Sequence, residues 1–181
     1  MKKVMRILSF LSLFLCCGFI ASAQWVPFLE STGRFRVLAP GTMTEKISKI
    51  KTGLGDLEYH TFSYHPVEAK PDNEFYVVNY CDYPKGVFPK DSIDLIKEFM
   101  DATVETSIKS VHGSLIYQDD IKQNGFVGKI WRVSYNRDRA SIKSKCFLAG
   151  DRFYLVQTMT TKEHSLNPLE DKFLDSFGIN E

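Results

Sequence analysis

From residue 25 onward, apolar and polar side chains alternate in short runs, and the period of the pattern changes along the chain. Trp25 to Leu29 opens the series, and Arg34 to Leu38 alternates until Ala39-Pro40-Gly41, a turn signal. Glu45 to Lys51 sets Ile47 and Ile50 among charged residues. After the turn Thr52 to Asp56, Leu57 to Tyr64 is rich in aromatic and β-branched residues, as strands are. Phe75 to Asp82 is an almost continuous apolar run, which suits a central strand covered on both faces. Each of these segments is predicted as a strand.

The period then becomes helical. Ile93, Ile96, Phe99, Met100, Val104, Ile108 and Val111 recur along one stripe, with Asp91 or Ser92 as N-cap, Asp94 in the first turn and Gly113 as C′ residue. A stripe of that width is the face a helix packs on a sheet. Alternation resumes over Leu115 to Ile121, Val127 to Tyr135, Ser141 to Ala149 and Arg152 to Thr160. Asn124-Gly125, Asn136 to Arg139 and Gly150-Asp151 connect them, and Gly150-Asp151 is a hairpin signal. Asn167, Pro168 and Glu170 mark the start of a last helix, which Leu169, Phe173 and Phe177 pack down. The order predicts an α+β fold: a mostly antiparallel sheet, a long helix after the first strands, and a C-terminal helix.

The first residues follow another logic. Lys2, Lys3 and Arg6 precede an uncharged apolar run from Ile7 to Ile20, and Ala21-Ser22-Ala23 has the small-x-small form of a cleavage site. The run is shorter than the roughly 20 residues a spanning helix needs. Leu15 before Cys16, and Cys16 before Cys17, do not make a lipobox. Residues 1–23 therefore read as a signal peptide and 24–181 as a single exported domain, periplasmic or secreted, with no transmembrane segment after cleavage.

That division changes the charge. Removing Lys2, Lys3 and Arg6 from the 23 basic residues leaves 20 against 22 acidic ones, a formal charge of −2. A nearly neutral domain lacks the basic face that nucleic acid asks for. It also lacks the polybasic segment of a membrane-surface binder. Two cysteines remain, Cys81 and Cys146. An even count in an exported chain allows a disulfide between them. Both lie in apolar strand segments, where a free thiol is an ordinary small core residue.

Four short motifs carry a resemblance. Gly33 to Gly41 has the form F-x-V-x-x-P-G at Phe35, Val37, Pro40 and Gly41. Tyr80-Cys81-Asp82-Tyr83-Pro84 reads Y-x-D-Y-P, Gly125 to Gly128 reads G-x-x-G, and Phe173 to Phe177 reads F-L-x-S-F. Together they span most of residues 25–178, and the chain resembles the PsbP-like α/β/α sandwich superfamily. That superfamily takes in the extrinsic PsbP subunit of photosystem II, a Ran-binding nuclear-import factor and many exported bacterial proteins without assigned activity. The resemblance implies a non-catalytic interaction domain and carries over no catalytic residue.

The chemistry-bearing residues agree with that implication. There is no G-x-S-x-G, no phosphate loop after Gly53-Leu54-Gly55, no His-Glu-x-x-His and no Cys-x-x-Cys. Nothing names a metal or cofactor. His60 and His65 fall on opposite faces of one strand, and His60 shares its face with Phe62 and Tyr64. His112 sits at a helix end and His164 in a polar loop. Asp119 and Asp120 diverge across a strand, while Glu170 and Asp171 are first-turn helix residues. Lys129, Arg132, Arg137, Arg139, Lys143 and Lys145 gather in one hairpin, as a solvated sheet face or an anion patch.

The expected function is an exported, non-enzymatic binding or interaction domain, its partner a protein or small molecule of the cell envelope. The alternatives are an enzyme with a scattered site, such as His60, Asp82 and Tyr83, and an envelope scaffolding subunit. The expected binding loop is Tyr83 to Pro89, with Tyr83, Val87 and Phe88 as its contacts, because loops on a rigid scaffold often carry function. The other reading of Phe88 is a plug beneath the start of the long helix.

Overall fold

The computed structural model describes residues 25–89 and 91–180; residues 1–23, expected from the sequence to be a signal peptide, lie outside them. Strands β1 (Val26–Glu30) and β2 (Phe35–Ala39) pair with each other, and β10 (Gly178–Ile179) joins the far edge of β2. The remaining strands are β3 (Thr44–Thr52), β4 (Gly55–Tyr64), β5 (Phe75–Asp82), β6 (Ser114–Gln123), β7 (Phe126–Tyr135), β8 (Ala140–Ala149) and β9 (Arg152–Thr161). They form one seven-stranded sheet in the order β3-β4-β5-β9-β8-β7-β6. Every pairing is antiparallel. Helix α1 (Ile93–Ser110) follows β5 and α2 (Pro168–Ser176) precedes β10. The alternation along the chain thus gives the expected strands and both helices; β10 is too short to leave a periodic signal.

The period of two divides the apolar residues between two cores. On one face, β1, β2 and α2 cover the large sheet, and Phe35, Val37, Tyr80, Tyr154, Val156, Phe173 and Leu174 pack together. On the other face, Met100 and Val104 of α1 pack on Trp131, Val133, Cys146 and Phe153. Successive residues of β9 serve opposite cores: Phe153 and Leu155 face α1, Tyr154 and Val156 face α2. This is why Phe75–Val78 of β5, Cys146–Ala149 of β8 and Phe153–Val156 of β9 are apolar without alternation.

The two helices end by different means. Asn167 caps α2 as expected, its side-chain oxygen accepting from the backbone N–H of Leu169 and Glu170. Ser92 is the N-cap of α1 but makes no side-chain cap bond. At the other end His112, not Gly113, takes the left-handed conformation, with φ of 48°. His112 N–H bonds Lys109 O at 3.2 Å and Gly113 N–H bonds Ile108 O at 3.0 Å, a Schellman closure. Gly113 is needed for closeness instead: a Cβ there would lie 2.5 Å from Ser134 O.

Of the basic hairpin, Arg137 and Arg139 are solvated at the turn, while the other four residues form neither a solvated face nor an anion patch. Arg132 reaches Glu170, Lys143 reaches Asp171 and Lys145 reaches Asp175, so the face of β7 and β8 toward α2 is matched by that helix's own carboxylates. Lys129, on the opposite face, pairs with Asp101 of α1 and with Asp120. The disulfide allowed by the cysteine count is not formed; Cys81 and Cys146 are free and buried. β9 lies between their strands. Two strand spacings, about 10 Å, exceed the roughly 7 Å of Cα separation that a disulfide bridges.

Candidate functional site

One helix is too narrow for the face it covers. Seven strands at about 4.8 Å spacing make a sheet roughly 29 Å wide, while a helix with its side chains spans about 10–12 Å. α1 packs over β7, and a groove opens beside it above β8, β9 and β4. The groove has a volume of about 560 Å³, within the usual range of ligand pockets.

Its floor is a row across three strands. Trp131 of β7 stands opposite Ser144 of β8, and Ser144 stands opposite Gln157 of β9. Gln157 Nε2 donates to Ser144 Oγ at 3.0 Å. Trp131 is 0% exposed. Its indole Nε1–H is buried without a hydrogen-bond partner among the described residues. On the α1 wall stand Phe99, Thr103 and Ser107. The Thr103 hydroxyl is turned to Phe99 O and the Ser107 hydroxyl to Thr103 O, each one helical turn back. That spends both donors on the helix's own backbone.

Tyr59 and Tyr83 stand at the opposite side of the groove. Burial raises the Tyr59 phenol well above its ordinary range, with smaller contributions from Cys81 and Tyr83. Burial, then Cys81, raises Tyr83 too. Both phenols are neutral at physiological pH. None of the residues that line the groove is charged.

The expected binding loop is thereby divided. Tyr83 lines the groove. Phe88 is buried, its ring 4.7 Å from Phe99 and 5.2 Å from Tyr83, which is the plug beneath α1. Val87 is half-buried against the same core. The loop is held by the β8–β9 turn: Asp151 O accepts from Tyr83 N–H at 2.8 Å, and the Asp151 carboxylate accepts from Gly86 N–H at 2.9 Å and Phe88 N–H at 3.2 Å. A second cavity of about 400 Å³ lies on the other flank of α1, between Ile93, Met100, Val127 and Leu148.

His60 and Asp82 share the face of the sheet on which Tyr80 and Arg152 lie, but Tyr83 is not brought to them. His60 Nδ1 lies 2.8 Å from Glu45 Oε1 and its ring stacks on Tyr80 at 4.3 Å, toward the small sheet. Asp82 holds Arg152 through both oxygens, at 2.5 and 2.6 Å. Tyr83 faces the groove under α1. His65 lies beside Phe75, and His164 Nδ1 is 3.0 Å from Pro71 O. Among the described residues no group of three His, Cys, Asp or Glu side chains converges as metal ligands do.

The groove's floor was legible only as exceptions to a pattern. Ser144 and Gln157 are polar residues at the face of otherwise apolar strands, and that was the available signal. Trp131 gave none, since an indole in a strand is ordinary core.

No family model matches the chain, and no curated protein sequence matches it. Among solved structures it is similar to the solution structure of cyanobacterial PsbP (CyanoP) from Synechocystis sp. PCC 6803. The identity is 12%, the match covers 90% of this chain and 96% of that one, and the TM-score is 0.50. At that identity the likeness is one of architecture, a mostly antiparallel sheet with one helix after the early strands and one at the C-terminus: the chain has a PsbP-like fold.

Proposed function

We propose that this chain is an exported, non-enzymatic binding domain whose ligand seat is the groove between α1 and strands β8 and β9. The observation that carries the reading is the floor of that groove, where Trp131, Ser144 and Gln157 set a few polar groups in an aromatic, charge-free surround. Pockets that bind small molecules are built in this way. The titratable groups there are moved away from neutrality, not toward it. Tyr59 and Tyr83 are raised, whereas a general acid or base is poised near the working pH. No helix among the described residues is long and apolar enough to cross a membrane.

The test fills the seat. Ser107→Phe puts a ring into the groove from α1 without touching the core. Organic extracts of wild-type protein purified from its native envelope are expected to yield a co-purifying small molecule that is missing from Ser107→Phe protein of equal melting temperature. Identical extracts would overturn the reading. Export is tested by intact mass: the mature chain is expected to begin at Gln24, and a species that retains Met1 or carries acyl chains on a cysteine would contradict it.

A further inference from the structure

The groove's chemistry narrows its ligand, taking the groove as the seat proposed above. We infer that the ligand is an uncharged, ring-bearing molecule with a hydrogen-bond acceptor, and that Trp131 Nε1–H is the donor that takes it. Three observations lead there. No charged side chain lines the groove, so an ionised ligand would lose its hydration without gaining a counter-charge. Five aromatic rings line it, from Tyr59, Tyr83, Phe99, Trp131 and Phe153, and such walls favour stacked or edge-on rings. The third is the orphan donor. A buried N–H without an acceptor is costly, and native interiors avoid it. Among the described residues Trp131 is the buried side chain with that defect, and it stands on the floor of this charge-free groove beside α1.

The polar partners along the floor are arranged to leave this donor alone. Ser144, the direct cross-strand neighbour of Trp131, receives its hydrogen bond from Gln157. Thr103 and Ser107 are committed to their own helix. At the floor a ligand carbonyl or ether oxygen would meet the indole N–H, with the Tyr59 and Tyr83 hydroxyls at the opposite side of the groove, so the floor donor orients the molecule as well as holding it.

Three naphthalene probes of similar size separate the elements of the claim: the neutral ketone Prodan, neutral N-phenyl-1-naphthylamine without a carbonyl, and the anionic 8-anilinonaphthalene-1-sulfonate. Binding is measured in the Trp25→Phe background, where quenching reports Trp131 alone. Prodan is expected to bind with quenching of Trp131, and the anion at least tenfold more weakly. Trp131→Phe is expected to weaken Prodan about fivefold to tenfold, the worth of one hydrogen bond, and to spare the phenylnaphthylamine. In unsubstituted protein the Trp131 indole N–H resonance is expected to move downfield with Prodan and not with the phenylnaphthylamine, which keeps the test independent of the variant's folding. An anion that binds as tightly as Prodan, or an indole resonance indifferent to the ketone, overturns this inference. Probe binding that Ser107→Phe leaves untouched overturns the seat itself.

Discussion

The Asp151 carboxylate accepts a hydrogen bond from the backbone N–H of Phe88 at 3.2 Å, although the two residues are 63 positions apart in the chain. With the bond from Gly86 at 2.9 Å, it ties the loop after β5 to the turn between β8 and β9. These two amide bonds hold the Asp151 carboxyl below its ordinary value. A lowered carboxyl contributes its stabilisation in full above about pH 4, the unfolded value, and loses it as pH falls through the folded value. The protection factors of the Gly86 and Phe88 amides, taken against the intrinsic exchange rate at each pH, are therefore expected to fall selectively in acid. Asp151→Asn is expected to show that lower protection already at neutral pH, while the α1 amides stay protected.

Arg132 and Glu170 form a buried pair beneath α2, with Nη2 to Oε2 at 2.5 Å. Arg132 also donates to Ser141 Oγ and Ser165 O. Glu170→Leu alone strands the guanidinium and is expected to cost about 3–5 kcal/mol in urea unfolding. The double variant Arg132→Met, Glu170→Leu is expected to recover most of that loss, because two well-packed apolar side chains avoid the desolvation of both charges. A double variant as unstable as the single one would contradict this account.

Gly113→Ala is expected to destabilise by about 1–3 kcal/mol. Its Cβ would meet Ser134 O and Val133 Cγ1, each at 2.5 Å, and the first of these is backbone that cannot turn aside. Gly53→Ala serves as the control. Nothing lies within 4 Å of a Cβ there, so the change is expected to stay within about 0.5 kcal/mol. Thermal melts of the two variants decide it.

Burial raises Cys81 to about 11 and Cys146 to about 12. Thiolate is the reactive form, so neither residue is expected to react with Ellman's reagent in the folded protein at pH 8. Both are expected to react in guanidinium. Dithiothreitol is expected to leave the melting temperature unchanged, and a drop would mean a disulfide.

How far the sequence carries depends on which interactions shape each part. Strands such as Phe75–Asp82 and the stripe from Ile96 to Val111 were legible because each run's own period records which side meets the core, although Ile93 at the start of the stripe is exposed. Asn167 was legible as a cap because capping is local. The ladder of Arg132, Lys143 and Lys145 was not, since its partners Glu170, Asp171 and Asp175 lie some 28 to 38 positions away. The groove was hidden for a related reason. It is a mismatch between the width of a sheet and the width of a helix, and no single segment contains it. For Phe88 the sequence leaves two readings open, a loop contact and a plug beneath α1, because Asp151, which fixes the loop, looks only like a turn residue.

The seven-stranded sheet ends at β3, whose nine residues are all exposed. Its outer backbone groups are an open invitation to another chain's strand. Along it Lys46 points to one side and Lys49 and Lys51 to the other. A second copy laid against this border would bring like charges together above and below the new pairing at once. Lys46, Lys49 and Lys51 are thus expected to act as a colloidal guard against edge-to-edge pairing of two copies, while contributing little to holding any one molecule folded.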